Sequence, residues 1–142
     1  MKTIKLSNSA RNICMAFVAG MMIFSLSSCS NKILFLNSTV IPAARGNVKI
    51  TKDNNHNYVI KIELLYLAET NRLTPPRNTY VVWMVSNNDA PKNIGQIQSQ
   101  SHLKASIETV SASKPHRIFI TAEDDASVQY PSNFEVLTTD NL

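Results

Sequence analysis

The chain has 142 residues, with 14 Lys and Arg, 10 Asp and Glu, three Gly and two Cys. Three glycines are too few for a phosphate-cradling loop, and Cys14 and Cys29 both lie near the amino terminus, so the rest has no thiol nucleophile, disulfide or Cys-built metal site. The basic excess is lopsided: Lys2, Lys5 and Arg11 precede the first acid, Asp53, and beyond residue 28 there are 11 bases against 10 acids with no basic run, which argues against nucleic acid or an anionic surface as partner.

In chain order, the basic start is followed by an apolar run from Ile13 to Leu26 (ICMAFVAGMMIFSL). At 14 residues it is too short to span a bilayer, which takes about 20, and it suits the apolar region of a helical signal peptide. Leu26-Ser27-Ser28-Cys29 then places two small residues before a thiol. This order resembles the lipobox of bacterial lipoproteins, with Ser28 where Gly or Ala is commoner. The resemblance implies peptidase recognition of Leu26, Ser27 and Ser28, cleavage before Cys29, and acyl chains on the Cys29 sulfur. A plain secretory cut would instead leave Cys29 as a free thiol. Removing 28 residues from 142 leaves 114, enough for one domain with a hydrophobic core. The expected division is signal 1–28, lipidated tether 29–45 and folded domain 46–142.

Within the tether, Ile33 to Leu36 reads as an edge strand or a short membrane-proximal helix, stopped by Pro42. From Asn47 to Lys52 the period becomes two; Asp53 to Asn57 is a polar turn; Tyr58 to Leu64 alternates again. The pair predicts a β-hairpin. Ala68 to Asn78 is a Pro-broken loop. Thr79 to Val85 is apolar nearly throughout, as for a central strand covered on both faces. Asn93 to Ile97 is a short strand, Gly95 marking a bulge or a close approach. His102 to Glu108 alternates, with Leu103, Ala105 and Ile107 on one face; Arg117 to Glu123 and Phe134 to Thr138 complete the set. About seven strands without a helical pattern predict an all-β fold, an antiparallel β-sandwich, for which an immunoglobulin-like topology is one option.

Candidate chemistry is sparse. Glu123-Asp124-Asp125 could in principle attract a hard cation, but the spacing of a calcium loop is absent, and a solvated loop is expected. His56, His102 and His116 have no second His at i+2 or i+4. No Gly-x-Ser-x-Gly or Ser-x-x-Lys signature occurs. Tyr80, Trp83 and Phe119 lie in the most apolar strands, which favours packing over a recognition surface. We therefore expect no catalytic residue, no metal and no cofactor.

Three segments carry a family likeness. Tyr80-Val81-Val82-Trp83-Met84-Val85, then Lys92-Asn93-Ile94-Gly95-Gln96-Ile97, then Ile118 to Glu123 with Tyr130-Pro131-Ser132 resemble, in order, segments of the anti-sigma-K factor C-terminal domain. The chain departs where Glu123-Asp124-Asp125-Ala126-Ser127 stands in place of that family's Glu-Pro-x-Gly-Gly turn. The resemblance implies an extracytoplasmic sandwich in which Tyr80, Trp83, Gly95, Thr121, Glu123 and Pro131 are structural. It also implies an interaction module, here without room ahead of Cys29 for a cytoplasmic sigma-binding domain. The expectation is a non-enzymatic envelope lipoprotein, held to the membrane by acyl chains on Cys29. With Ser30 following, it is expected on the periplasmic face of the outer membrane. It would bind an envelope protein or ligand in signalling, and not nucleic acid. A structural or adhesive lipoprotein is the alternative; a hydrolase using scattered Ser, His and Asp is a third.

Overall fold

In the computed structural model, residues 32–87, 89–97 and 103–142 are described. The segment expected to be a signal peptide, with Leu26, Ser27 and Ser28, and also Cys29 and His102 lie outside them. Eight strands form: β1 (Lys32–Leu34), β2 (Arg45–Lys52), β3 (Tyr58–Leu65), β4 (Thr79–Val85), β5 (Lys92–Ile97), β6 (Lys104–Ser111), β7 (Arg117–Glu123) and β8 (Glu135–Thr138). They build two antiparallel four-stranded sheets, β1-β2-β3-β6 and β5-β4-β7-β8. The all-β sandwich read from the alternation is the fold. Strands β2 to β4 and β6 to β8 take the places of A, B, C, E, F and G in an immunoglobulin sandwich. The fourth strand differs: β5 pairs with β4, not with β6. β1 is an extra strand on the far side of β2.

The period of two explains the core. Val48, Ile60, Ile62 and Leu64 point inward from the first sheet; Tyr80, Val82, Met84, Ile118, Ile120 and Ala122 meet them from the second. Nearly all are fully shielded from solvent, and each such aliphatic contributes roughly 1.5–3 kcal/mol. β4 is apolar on both faces because both are covered: Val81 and Trp83 belong to a second cluster with Phe119 on the outer side of the sheet.

Two expectations change. The tether is part of the domain from Lys32 onward: β1 pairs with β2, and Phe35, Ile41 and Ala44 enter the core. Phe35 also bridges to Thr139, and Leu36 N–H donates to Thr138 O (2.8 Å), closing the sandwich along that edge. Enough apolar side chains precede Arg45 to make burial favourable. Leu103 does not join Ala105 and Ile107 on the inner face. Its φ of 56° turns it out of the strand, and it is exposed.

The β2–β3 turn is organised by Asp53. Its Oδ1 accepts the N–H groups of Asn55 (2.8 Å) and Asn57 (2.9 Å), and its Oδ2 accepts Asn57 Nδ2 (3.2 Å). Desolvation, the largest single influence, pushes the carboxyl pKa up, but the Asn57 and Asn55 bonds together outweigh it and hold the value below the ordinary one. A depressed carboxylate supports the fold above its unfolded pKa, about 3.9, and loses that support as pH falls through its folded value. Acidification below about pH 4 should therefore loosen this turn ahead of the sheets. Amide hydrogen exchange at Asn55 and Asn57 checks it, and Asp53→Asn should remove the pH dependence. Equal exchange in both forms across that range would contradict the assignment.

Candidate functional site

Glu123 of the acidic cluster meets two of the aromatic strand residues, Trp83 and Phe119, on the outer face of β4 and β7, whereas Tyr80 faces the inter-sheet core. β4 and β7 pair with Trp83 opposite Phe119, Val81 opposite Thr121 and Thr79 opposite Glu123. Trp83 Nε1–H donates to Thr121 Oγ1 (2.7 Å), and the Thr121 hydroxyl donates to Glu123 Oε1 (2.5 Å). The same Glu123 oxygen accepts the N–H of Ser132 (2.9 Å), which follows Pro131. Trp83 stacks on Phe119 with centroids 6.3 Å apart and planes 17° from parallel. The relay is buried, so its polar groups must satisfy one another.

A stretch of chain, residues 124–133, roofs this cluster. Val128 packs onto it. Asn93 Nδ2 reaches the carbonyls of Ala126 (2.8 Å) and Val128 (3.1 Å). Arg77 pairs with Asp124 at 2.6 Å, and Asn78 Nδ2 donates to Asp124 O (3.0 Å). Asp125 Oδ1 accepts the backbone N–H and hydroxyl of Ser127, both at 2.8 Å; the backbone bond and then the hydroxyl hold its pKa below the usual carboxylate value. The three acids thus go three ways: Glu123 inward, Asp124 to Arg77, Asp125 to its own turn. Among the described residues no group of three or more His, Cys, Asp or Glu could hold a metal ion.

The remaining motif residues are also built in. Tyr80 is buried and donates to Ala68 O (2.9 Å); burial pushes its phenol pKa far up. Gly95 sits opposite Val82, while the next pair is Trp83 with Asn93, so Ile94 is an extra residue in β5. Gly95 has φ 144°, and its N–H donates to Asn93 Oδ1 (3.1 Å). Asn93 thereby ties the bulge to the roof. It was not singled out in the sequence; the signal was an Asn within a strand, where that residue is depleted. His56 is a left-handed turn residue between β2 and β3 (φ 66°), and His116 precedes β7 with its N–H on Val85 O.

No protein family matches the chain, nor does any curated protein or solved structure. Function must be sought on the surface that the motif residues leave free.

Two surfaces stand out. One is an apolar groove of about 420 Å³ at one end of the sandwich. Val40, Ile41, Pro42 and Ala43 line it from the β1–β2 connection; Ala68, Leu73 and Thr74 line it from the β3–β4 connection, and Phe134 from the approach to β8. Arg72, 3.3 Å from Glu69, is also in its wall. Ser38 Oγ accepts the Ile41 N–H (2.9 Å) and fixes one lip. The volume falls in the range of small-ligand sites, and the lining is apolar with few polar groups, as in such sites.

The other is the outer face of the first sheet. Strand register puts Lys32 opposite Lys49, Lys49 opposite Lys61, and Lys61 opposite Glu108. Three lysines from three strands form one row. Each strand supplies a single lysine to this row, and only the pairing gathers them. Among the described residues no helix is long and apolar enough to cross a membrane.

Proposed function

We propose that this protein is a lipid-anchored, non-enzymatic β-sandwich module of the bacterial cell envelope that binds a partner or ligand at the apolar groove, in envelope signalling. The groove is the observation that carries the binding role. The Leu26-Ser27-Ser28-Cys29 order supports the anchor, and the ordered likeness to the anti-sigma-K factor C-terminal domain supports an outer interaction module. The motif residues serve the scaffold: Trp83, Thr121 and Glu123 hold the roof, and Tyr80 holds the Ala68 side of the groove. A soluble apolar side chain or acyl group would gain about 25 cal/mol per Å² on entering, with Arg72 available to an acidic or carbonyl end. The periplasmic face of the outer membrane is the proposed location.

Two measurements test the two halves separately. The amino-terminal tryptic peptide, Cys29 to Lys32, should be recovered with acyl chains; a peptide running uncut through Ser28 and Cys29, or bare Cys29, sinks the anchor. A photo-crosslinking residue at Val40 should give a discrete adduct in intact envelopes, while one at Asn54, in the β2–β3 turn, should not. Identical patterns from both positions would sink the groove.

A further inference from the structure

The lysine row asks for an explanation that stability does not provide. Like charges directly opposite one another on a sheet face lie about 5 Å apart and destabilise it. Lys32 alone has a structural reason, since a lysine on an edge strand discourages pairing with another chain. Lys49 and Lys61 are on interior strands, where edge protection has no purpose. The rest of the face adds Arg45 and Lys104 against Glu63 and Glu108, by the same register parity. Glu63 lies 3.5 Å from Lys61 and offsets part of its charge. Five bases against two acids leave this face net positive, whereas the chain beyond residue 28 is close to neutral with 11 bases and 10 acids. The remaining 6 bases and 8 acids beyond residue 28 leave the rest of the chain slightly net negative.

Apolar side chains share the face. Leu34 is 70 % exposed, Val110 57 % and Leu65 43 %. All three alternate outward with the lysines. Bases interleaved with exposed aliphatics suit a lipid headgroup layer, where charge meets phosphate and apolar groups reach the acyl boundary. A purely aqueous anion would leave the aliphatics wet.

Chain length supplies the second argument. Lys32 is three residues from Cys29 and already paired in β1. Three residues reach at most about 11 Å. An acyl anchor at Cys29 would therefore keep the β1 edge of this sheet close to the bilayer, within reach of the face that carries Lys32.

We propose that the outer face of the β1-β2-β3-β6 sheet lies on anionic phospholipid headgroups, with Lys32, Lys49 and Lys61 as the contacting row. This rests on the anchored reading above and adds to it an orientation: the sandwich lies flat on the membrane and does not swing on a leash.

The test uses the chain recovered from its own envelope membranes in detergent. The mass of its amino-terminal peptide first reports acylation of Cys29 and decides the anchor independently. The chain is then placed in phosphatidylcholine vesicles with or without phosphatidylglycerol. With Cys29 acylated, a cysteine from Ser106→Cys, on the same face, or Gln129→Cys, on the roof, is the single free thiol for a fluorophore. Headgroup-borne quenchers should dim the label at 106 severalfold more with phosphatidylglycerol than without, and leave the label at 129 unchanged. Each lysine near such a surface is worth about fivefold. Lys32→Gln, Lys49→Gln and Lys61→Gln together should shift the face-down equilibrium by on the order of 100-fold and abolish the difference. Should that triple variant misfold, the unaltered chain at 1 M salt, where screening acts within about 3 Å, must lose the difference equally. An acylated chain whose label at 106 is equal in both vesicles overturns the docking face and leaves the anchor standing. Unmodified Cys29 overturns the anchor and this inference with it. A label at 106 that responds to an added acidic protein, and not to phosphatidylglycerol, also overturns it.

Discussion

Trp83→Ala should destabilise the domain by about 3–5 kcal/mol, a large part of the roughly 5–15 kcal/mol that holds a domain of this size together. Three losses add. The largest fully buried side chain of the described residues disappears, the stack on Phe119 goes with it, and Thr121 loses the donor that fills one side of its hydroxyl. The roof then has nothing to rest on, because Val128 packs against this same cluster. The melting temperature should fall by more than about 10 °C, and limited proteolysis should cut first within residues 124–133. Trp83→Phe separates the contributions. It keeps an aromatic ring over Phe119 but removes the Nε1 donor and part of the buried ring volume, so a cost of about 2–3 kcal/mol is expected, below that of Trp83→Ala. A double-mutant cycle with Thr121→Val should show the hydrogen bond as coupling between the two sites. If Trp83→Ala cost under about 1 kcal/mol, the outer cluster would contribute little and the roof would have to be held by its bonds to Asn93, Arg77, Asn78 and Glu123.

The second large effect is expected at Gly95. Its φ of 144° lies where side-chain-bearing residues are strained, at a cost of order 1–3 kcal/mol. An added Cβ would also stand 2.5 Å from Ile107 Cδ1, across the gap between the sheets. That atom is the far end of a flexible side chain and can move, so backbone strain should dominate. Gly95→Ala should therefore cost about 2–3 kcal/mol, read by chemical denaturation. Combining it with Ile107→Val should return only the smaller, steric share. Full recovery in the double variant would mean that crowding, and not the backbone, makes this position a glycine. Because Gly95 N–H is bonded to Asn93 Oδ1, and Asn93 holds the roof, the same substitution should also loosen residues 126–128.

The strands were legible because alternation reports one covered and one wet face. β2 and β3 show it plainly: Val48, Ile50, Ile60 and Ile62 inward, Lys49, Thr51 and Lys61 outward. Legibility failed where that contrast vanished. β4 is buried at six of its seven positions, so periodicity could not say that Trp83 faces away from the inter-sheet core, unlike the strand-C Trp of immunoglobulin domains. Glu123 read as the first member of a solvated acidic loop. Its burial depends on Thr121 two residues back and on Ser132 nine residues ahead, which offer it two donors. Leu103 fitted the alternation of β6 by spacing, yet its left-handed backbone removes it. The edge strand β1 is too short to show a period, and its membership in the sheet follows from pairing with β2.

The amino-acid sequence by itself determined the chemistry available to this protein: a lipobox-like amino terminus, a domain with neither thiols nor glycine loops, near-neutral charge beyond residue 28, and strands laid out by a period of two. Tertiary structure alone decided how that chemistry is grouped. Local pattern reports which face of a strand is wet, but not which strand lies beside it. Lys32, Lys49 and Lys61 are far apart along the chain and become neighbours through register, and Val40, Leu73 and Phe134 line one groove through loop placement. Both surfaces proposed to act, the groove and the basic face, are products of pairing between distant segments, which is why neither could be read along the chain.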